Sequence, residues 1–249
     1  MPLSGCGSGN SASLIVMGSS SMQPYVEILA EEYAHIYGER DVDVLAGGSS
    51  AGIMAVESGI ADVGMSSRAL KPAEQYLWST VMAKDGLAIV THPENPVRNL
   101  TVEQVRDIYA GTLINWSDVG GADAKIHVIT REEGSGSRDA FESLVMDKRP
   151  ITPRAIVQDS NGAVKQLVSS DVNSIGFISS GLVDDKVNAI ILDGVAATHE
   201  NISIGAYPLF REFLFVTEGE PGEYAAKFID YALSPAGQAI LDTEGLVTR

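Results

Sequence analysis

In the stretch TREEGSGSRDAFESLV, residues 130–145, Arg131 stands just ahead of Ser135, Gly136 and Ser137. A guanidinium offers a fork of N–H donors matched to an oxyanion. A Gly/Ser turn that opens a helix offers backbone N–H groups with no intrahelical partner, at the positive end of the helix dipole. Together they suit a compact oxyanion. Three more segments share this composition: Gly18–Ser21 (GSSS), Gly47–Ser50 (GGSS) and Ser66–Arg68 (SSR). Glycine lets a ligand approach the backbone, and each serine adds a hydroxyl that donates or accepts. Taken singly, any of these turns is a serine N-cap. Four in one chain, one with an arginine upstream, point to a shared anion site.

Other chemistries fit less well. Gly48-Ser49-Ser50-Ala51-Gly52 matches the G-x-S-x-G elbow of serine hydrolases, with Ser50 as nucleophile. That reading needs a histidine base and an acid. The histidines are His35, His92, His127 and His199; His199 follows in order, but its surroundings, ATHENIS, carry no other signal. No G-x-x-x-x-G-K-[ST] loop is present. The histidines lack metal-ligand spacing, and one cysteine makes no thiolate site, so neither a metal nor a cofactor is called for. The acidic pairs Glu31-Glu32 and Glu132-Glu133 read as solvated faces or dipole partners rather than a glycosidase pair.

The bulk numbers exclude further classes. The chain has 249 residues, with 17 Lys+Arg against 33 Asp+Glu and a formal net charge of -16. Non-specific nucleic-acid binding needs a basic face, which this balance does not supply. No run of about 18 apolar residues is present, so nothing in the sequence reads as a membrane-spanning helix. The single cysteine forms no intrachain disulfide. Its context, Leu3-Ser4-Gly5-Cys6, resembles a lipobox, and Gly7-Ser8-Gly9 behind it reads as a flexible tether. This implies a lipid on Cys6, with the preceding signal-peptide regions removed and Met1 a new start.

The elements that must position the turns alternate strand and helix. Ser13–Met17 (SLIVM), Val42–Leu45 (VDVL) and Ala61–Met65 (ADVGM) read as strands, as does Gly86–Thr91 (GLAIVT). Between them, Met22–Tyr37 shows helical spacing through Val26, Leu29, Ala30, Tyr33 and Ile36 or Tyr37, with Pro24 in the first turn and Gly38 as the stop. Ala51–Ser58 is a short helix, and Pro72–Ser79 is expected to be another. This β-α-β alternation predicts an α/β sheet. His92-Pro93-Glu94-Asn95-Pro96 then breaks the pattern as a hinge or linker. Thr101 and Gln104 form a capping box for a helix that Gly111 ends. Strands follow at Ile126–Thr130, Ile175–Ile178, Ala189–Leu192 and Phe213–Thr217, with helices after Ser137 and over Asn161–Val168. Ser234-Pro235 opens the last helix. The second α/β segment is inserted in the first. Residues 1–12 are tether, residues 13–91 with 208–249 form one lobe, and residues 92–207 form the other.

GSSSMQP, GGSSAGI, DVGMSSR and REEGSGSRDAFE resemble the signatures of the phosphate-binding proteins that feed high-affinity phosphate ABC importers. LINWSDVGG and SNGAVKQLV…NSIGFIS resemble further segments of that family, with structural roles. The likeness runs from about Ser13 to Leu246, and the arginine-led GSGS turn is its most specific part. It implies a two-lobed, type II periplasmic-binding-protein fold with two crossovers and the ligand in the interlobe cleft. Inorganic phosphate is the implied ligand, without catalysis. The implied partner is the membrane permease, and the implied state is an extracytoplasmic monomer that meets the membrane only through its lipid.

By position, the resemblance gives Ser20 a hydroxyl and Ser21 a backbone N–H on the ligand. Ser49 offers a hydroxyl or N–H, Arg131 the charged donor, and Ser135, Gly136 and Ser137 the opposing cradle. Some family members carry an aspartate where Ser67 stands. That aspartate accepts the phosphate proton and rejects sulfate, so Ser67 leaves sulfate or another tetrahedral oxyanion as the alternative ligand. Glu133 and Asp139, with Arg138, are candidate partners of Arg131.

Overall fold

The computed structural model describes residues 13–38 and 41–249; Cys6 and its lipobox lie outside them. The first lobe is built on β1 (Leu14–Gly18), α1 (Gln23–Tyr37), β2 (Val42–Ala46), α2 (Ser49–Glu57) and β3 (Val63–Ser66). β1 lies between β2 and β3, parallel to both. In α1, Tyr25, Val26, Leu29, Ala30 and Tyr33 are buried, the one-sided pattern a period of 3.6 produces. Gly38 ends it in the left-handed region at φ 58°, where a side chain would be strained. Ile36 and Tyr37, offered as alternatives for the buried face, are about half exposed, because the helix ends before another turn can carry them under the sheet.

No helix forms over Pro72–Ser79. A single 3-10 turn spans Pro72–Glu74, closed by the Glu74 carboxylate, which accepts Lys71 N–H at 2.7 Å and pairs with Arg68. The chain then enters β4 (Trp78–Thr91), eight residues before Gly86, the expected start. That extra length joins the lobes. Trp78–Gly86 pairs antiparallel with β11 (Phe210–Thr217), and Leu87–Thr91 pairs antiparallel with β8 (Ser174–Ser179).

The second lobe contains β5 (Asn99–Leu100), α3 (Val102–Ala110), β6 (His127–Arg131), α4 (Gly136–Phe141), β7 (Ile156–Gln158), α5 (Asn161–Ser170), β8, β9 (Asn188–Ala189), β10 (Ile191–Leu192) and α6 (His199–Ser203). The chain returns through β11 and closes with α7 (Glu223–Leu233) and α8 (Pro235–Thr243). The strand order is β2-β1-β3-β11-β4-β8-β6-β7, and β9 also pairs with β4. The Thr101 capping box forms, with Thr101 Oγ1 accepting Gln104 N–H at 3.0 Å and Gln104 Oε1 accepting Thr101 N–H at 2.8 Å. The single strand expected over Ala189–Leu192 is split around the buried Ile190, so that β9 pairs with β4 and β10 with β5.

Two main hydrophobic clusters divide the core. One gathers Val16, Leu29, Val63, Phe213, Phe215 and Phe228. The other gathers Leu87, Ile89, Tyr109, Phe141 and Phe177, with the Phe141 and Phe177 rings stacked at 4.4 Å. Each such side chain contributes about 1.5–3 kcal/mol on burial. Leu87 and Ile89 therefore pack with the second lobe, although their sequence position before His92 suggests the first. The chain passes between the clusters at Gly86–Leu87 and again at Leu209–Phe210, where Leu87 N–H donates to Leu209 O.

Candidate anion site

The Gly/Ser turns meet at the seam between the lobes. Ser20 and Ser21 lie between β1 and α1, Ser49 is the first residue of α2, and Ser67 follows β3. Arg131 ends β6; Ser135 is the N-cap of α4, with Oγ accepting Arg138 N–H, and Gly136 and Ser137 open that helix. The N–H groups of Ser49, Gly136 and Ser137 lack intrahelical partners by position. After Ser66–Arg68 no helix begins, so this turn supplies side chains rather than a helix terminus.

Arg131 is 1% exposed, and its guanidinium is held on one side. Nε and Nη2 donate to Glu132 Oε2 and Oε1 at 2.8 and 2.9 Å. Nη2 also reaches Ser20 Oγ at 2.9 Å and Asp159 O at 3.0 Å. Nη1 is buried and has no hydrogen-bond partner among the described residues. Glu132, not Glu133, is thus the carboxylate partner. Asp139 instead pairs with Arg68 at 2.9 Å and Lys71 at 3.3 Å. Arg138 donates to Arg131 O at 3.2 Å and Glu142 at 2.8 Å. Adjacent positions of α4 thus send an arginine back to the Arg131 carbonyl and an aspartate to Arg68, so nearness to Arg131 in sequence is a poor guide to the partners of its guanidinium.

Serine hydroxyls line the rest. Ser67 is fully buried; its Oγ accepts from Ser19 Oγ at 2.8 Å and lies 3.3 Å from Ser49 Oγ, while its N–H donates to Ser49 Oγ at 3.0 Å. Ser21 Oγ and Ser137 Oγ meet across the seam at 2.7 Å. The Ser21 N–H, which the resemblance assigns to the ligand, donates to Ser19 Oγ at 3.2 Å; Ser21 enters the site by its hydroxyl. Ser50 N–H donates to Gly134 O at 3.1 Å, a further lobe-to-lobe bond. Ser50 Oγ accepts from Arg68 Nη2 at 3.4 Å, and no histidine is among its partners, so the hydrolase reading has no base.

Several members of this constellation escape the Gly/Ser pattern. Asn161 opens α5, and its Nδ2 donates to Ser21 Oγ at 2.7 Å. Behind Ser137 lies Arg211, paired with Asp85; both are buried. An adjacent pair of opposite charges inside each otherwise apolar strand, Lys84-Asp85 in AKDGLAIV and Arg211-Glu212 in FREFLF, is the signal. Burial pushes the Asp85 carboxyl above its usual range, against the Arg211 charge and the Ser179 bond. Burial likewise lowers Arg211, with Asp85 opposing. The Asp85 side chain receives Arg211 Nε at 3.0 Å, Nη2 at 2.8 Å and Ser179 Oγ at 2.6 Å, three donors that favour the charged form and oppose the effect of burial.

Each site arginine already has its own carboxylate: Glu132 for Arg131, Glu74 and Asp139 for Arg68, Asp85 for Arg211. The cleft is therefore rich in N–H and O–H donors while carrying little net charge, and Arg131 Nη1 is a cationic donor with neither a hydrogen bond nor an ion pair among the described residues.

Two α/β lobes joined by two crossovers, closing on a donor-lined seam, define a solute-binding protein of the type II periplasmic-binding-protein fold. The PBP superfamily domain model matches residues 7–236. The chain is 32% identical over 239 residues to the phosphate-binding protein PstS of Bacillus subtilis (strain 168), covering 94% of this chain and 79% of that one. Against the phosphate-binding protein PstS of Borreliella burgdorferi the identity is 31% over 244 residues, covering 92% and 88%. A phosphate ABC transporter substrate-binding protein with bound phosphate from Clostridium perfringens superposes with a TM-score of 0.93 at 40% identity, over 96% of this chain and all (100%) of that one. An ABC-type phosphate transport receptor from Vibrio cholerae gives 0.81 at 38%, over 95% and 100%. The chain belongs to the phosphate-binding protein family.

Proposed function

We propose that this protein captures inorganic phosphate at the lobe seam outside the cytoplasm and delivers it to the permease of an ABC importer, with no catalytic step. The observation that carries the reading is Arg131 Nη1, buried without an acceptor among the described residues. A charged donor left unsatisfied costs a few kcal/mol, and an anion in the seam removes that cost. Ser20, Ser49, Ser67, Ser135, Gly136 and Ser137 supply the surrounding N–H and O–H donors, with Ser21 behind Ser137. Bonds to a charged group contribute about 1.5–3 kcal/mol each. Micromolar affinity needs about 8 kcal/mol net, so eight such donors suffice after desolvation and closure costs.

The packing supports lobes of residues 13–86 with 210–249 and residues 87–209. A lipid on Cys6 would hold the monomer at the membrane surface, on the strength of Leu3-Ser4-Gly5-Cys6. Serine hydroxyls accept as well as donate, so Ser67 or Ser49 can receive the proton of hydrogen phosphate that an aspartate takes elsewhere in the family. Isothermal titration should give one phosphate per chain at micromolar affinity or tighter, with sulfate the weaker competitor. Absence of phosphate binding, or tighter sulfate binding, contradicts the reading.

A further inference from the structure

Six residues form a closed hydrogen-bond ring behind the seam. Asp85 and Arg211 face each other in the β4–β11 register, one position from the Gly86–Phe210 pair where that ladder ends. Arg211 Nη1 donates to Ser137 Oγ at 2.8 Å. Ser137 Oγ meets Ser21 Oγ at 2.7 Å, and Asn161 Nδ2 donates to Ser21 Oγ at 2.7 Å. Asn161 Oδ1 accepts Ser179 N–H at 3.3 Å, which fixes the amide so that Nδ2 faces Ser21. Ser179 Oγ closes the ring on Asp85 Oδ1 at 2.6 Å and accepts the Tyr25 hydroxyl at 3.0 Å. The ring runs through β4, β11, α4, the turn before α1, α5 and β8, and so ties both lobes to the crossover.

Proton bookkeeping gives the ring a direction. A hydroxyl has one proton and two acceptor positions. Arg211 fills one acceptor position of Ser137, and Asn161 fills one of Ser21. The two hydroxyls carry two protons, and the bond between them uses one. The other has no protein acceptor among the described residues and points out of the ring. Whichever serine donates to its neighbour, the pair offers the ligand one O–H donor. Among the described ion pairs, Asp85–Arg211 is the one with both partners buried. A buried ion pair adds little stability over an apolar one of the same size, so its value lies in the arm it extends to Ser137.

We propose that Arg211, anchored by Asp85 at the crossover, is a positioning residue that orients the Ser137/Ser21 hydroxyl pair as a donor to the bound anion. This rests on the phosphate reading above. Phosphate titrations of the wild type, Ser137→Ala, the double variant Asp85→Asn/Arg211→Gln and the triple variant test it. The pair exchange should weaken phosphate binding roughly tenfold with Ser137 present, and less than about twofold with alanine there. A purely structural pair would give the same factor in both backgrounds. Equal losses, or no loss with Ser137 present, overturn the proposal while leaving the phosphate reading intact. A wild-type chain that binds no phosphate overturns both. If the exchanged pair does not fold, Arg211→Lys keeps the charge opposite Asp85 without the second arm. The same cycle with Ser137→Ala then gives the same two outcomes.

Discussion

Arg131→Ala is expected to weaken phosphate binding at least a hundredfold, or about 3 kcal/mol. Two effects act in the same direction. The buried Nη1 donor and the guanidinium charge are lost. Glu132, which holds Nε and Nη2, is left unneutralised beside the anion. Arg131→Lys should fall between, because an ammonium keeps the charge but cannot span Glu132, Ser20 and the ligand together. Titration calorimetry on both variants checks the order. A loss below about threefold (~0.7 kcal/mol) in Arg131→Ala would place Arg131 outside the site.

Gly136→Ala should be as damaging for a different reason. A Cβ on Gly136 would overlap Ser49 Oγ and Ser67 Oγ and stand 3.0 Å from Ser49 Cβ. Gly136 opens α4 in the second lobe, and the two serines belong to the first, so the collision is between lobes. The backbone there tolerates alanine, which favours a helix over glycine. The unliganded variant should therefore melt within a few degrees of the wild type, while phosphate affinity falls at least a hundredfold because the seam cannot shut. Melting curves with and without phosphate separate the two effects. Binding within threefold of the wild type would mean that closure at Gly136 is not needed.

What the sequence reveals of this site follows the range of the interaction. Short-range chemistry is legible: Gly/Ser turns at strand ends, Pro24 in a first turn, the Thr101–Gln104 box, and Arg131 beside its turn. Contacts between distant segments are not. Ser21 and Ser137 are 116 positions apart, and Arg211 and Ser137 are 74 apart, so no local spacing announces either pair. Nearness in sequence does not choose between Glu132 and Glu133 as the partner of Arg131, because β6 ends at Arg131 and strand alternation no longer fixes where the next side chains point. Only the fold decides which carboxylate meets the guanidinium. β4 resisted division for a related reason. Lys84-Asp85-Gly86 interrupts its apolar run without ending the strand, since its first half pairs with β11 and its second with β8 in the same sheet.

A crystal structure of the protein grown with phosphate tests directly whether the anion sits in the seam. Tetrahedral density is expected between the turn at Ser20 and the turn at Ser135–Ser137, with an oxygen within hydrogen-bond distance of Arg131 Nη1. An ordered anion elsewhere, or Arg131 Nη1 bonded to a protein acceptor with the seam empty, would contradict that placement.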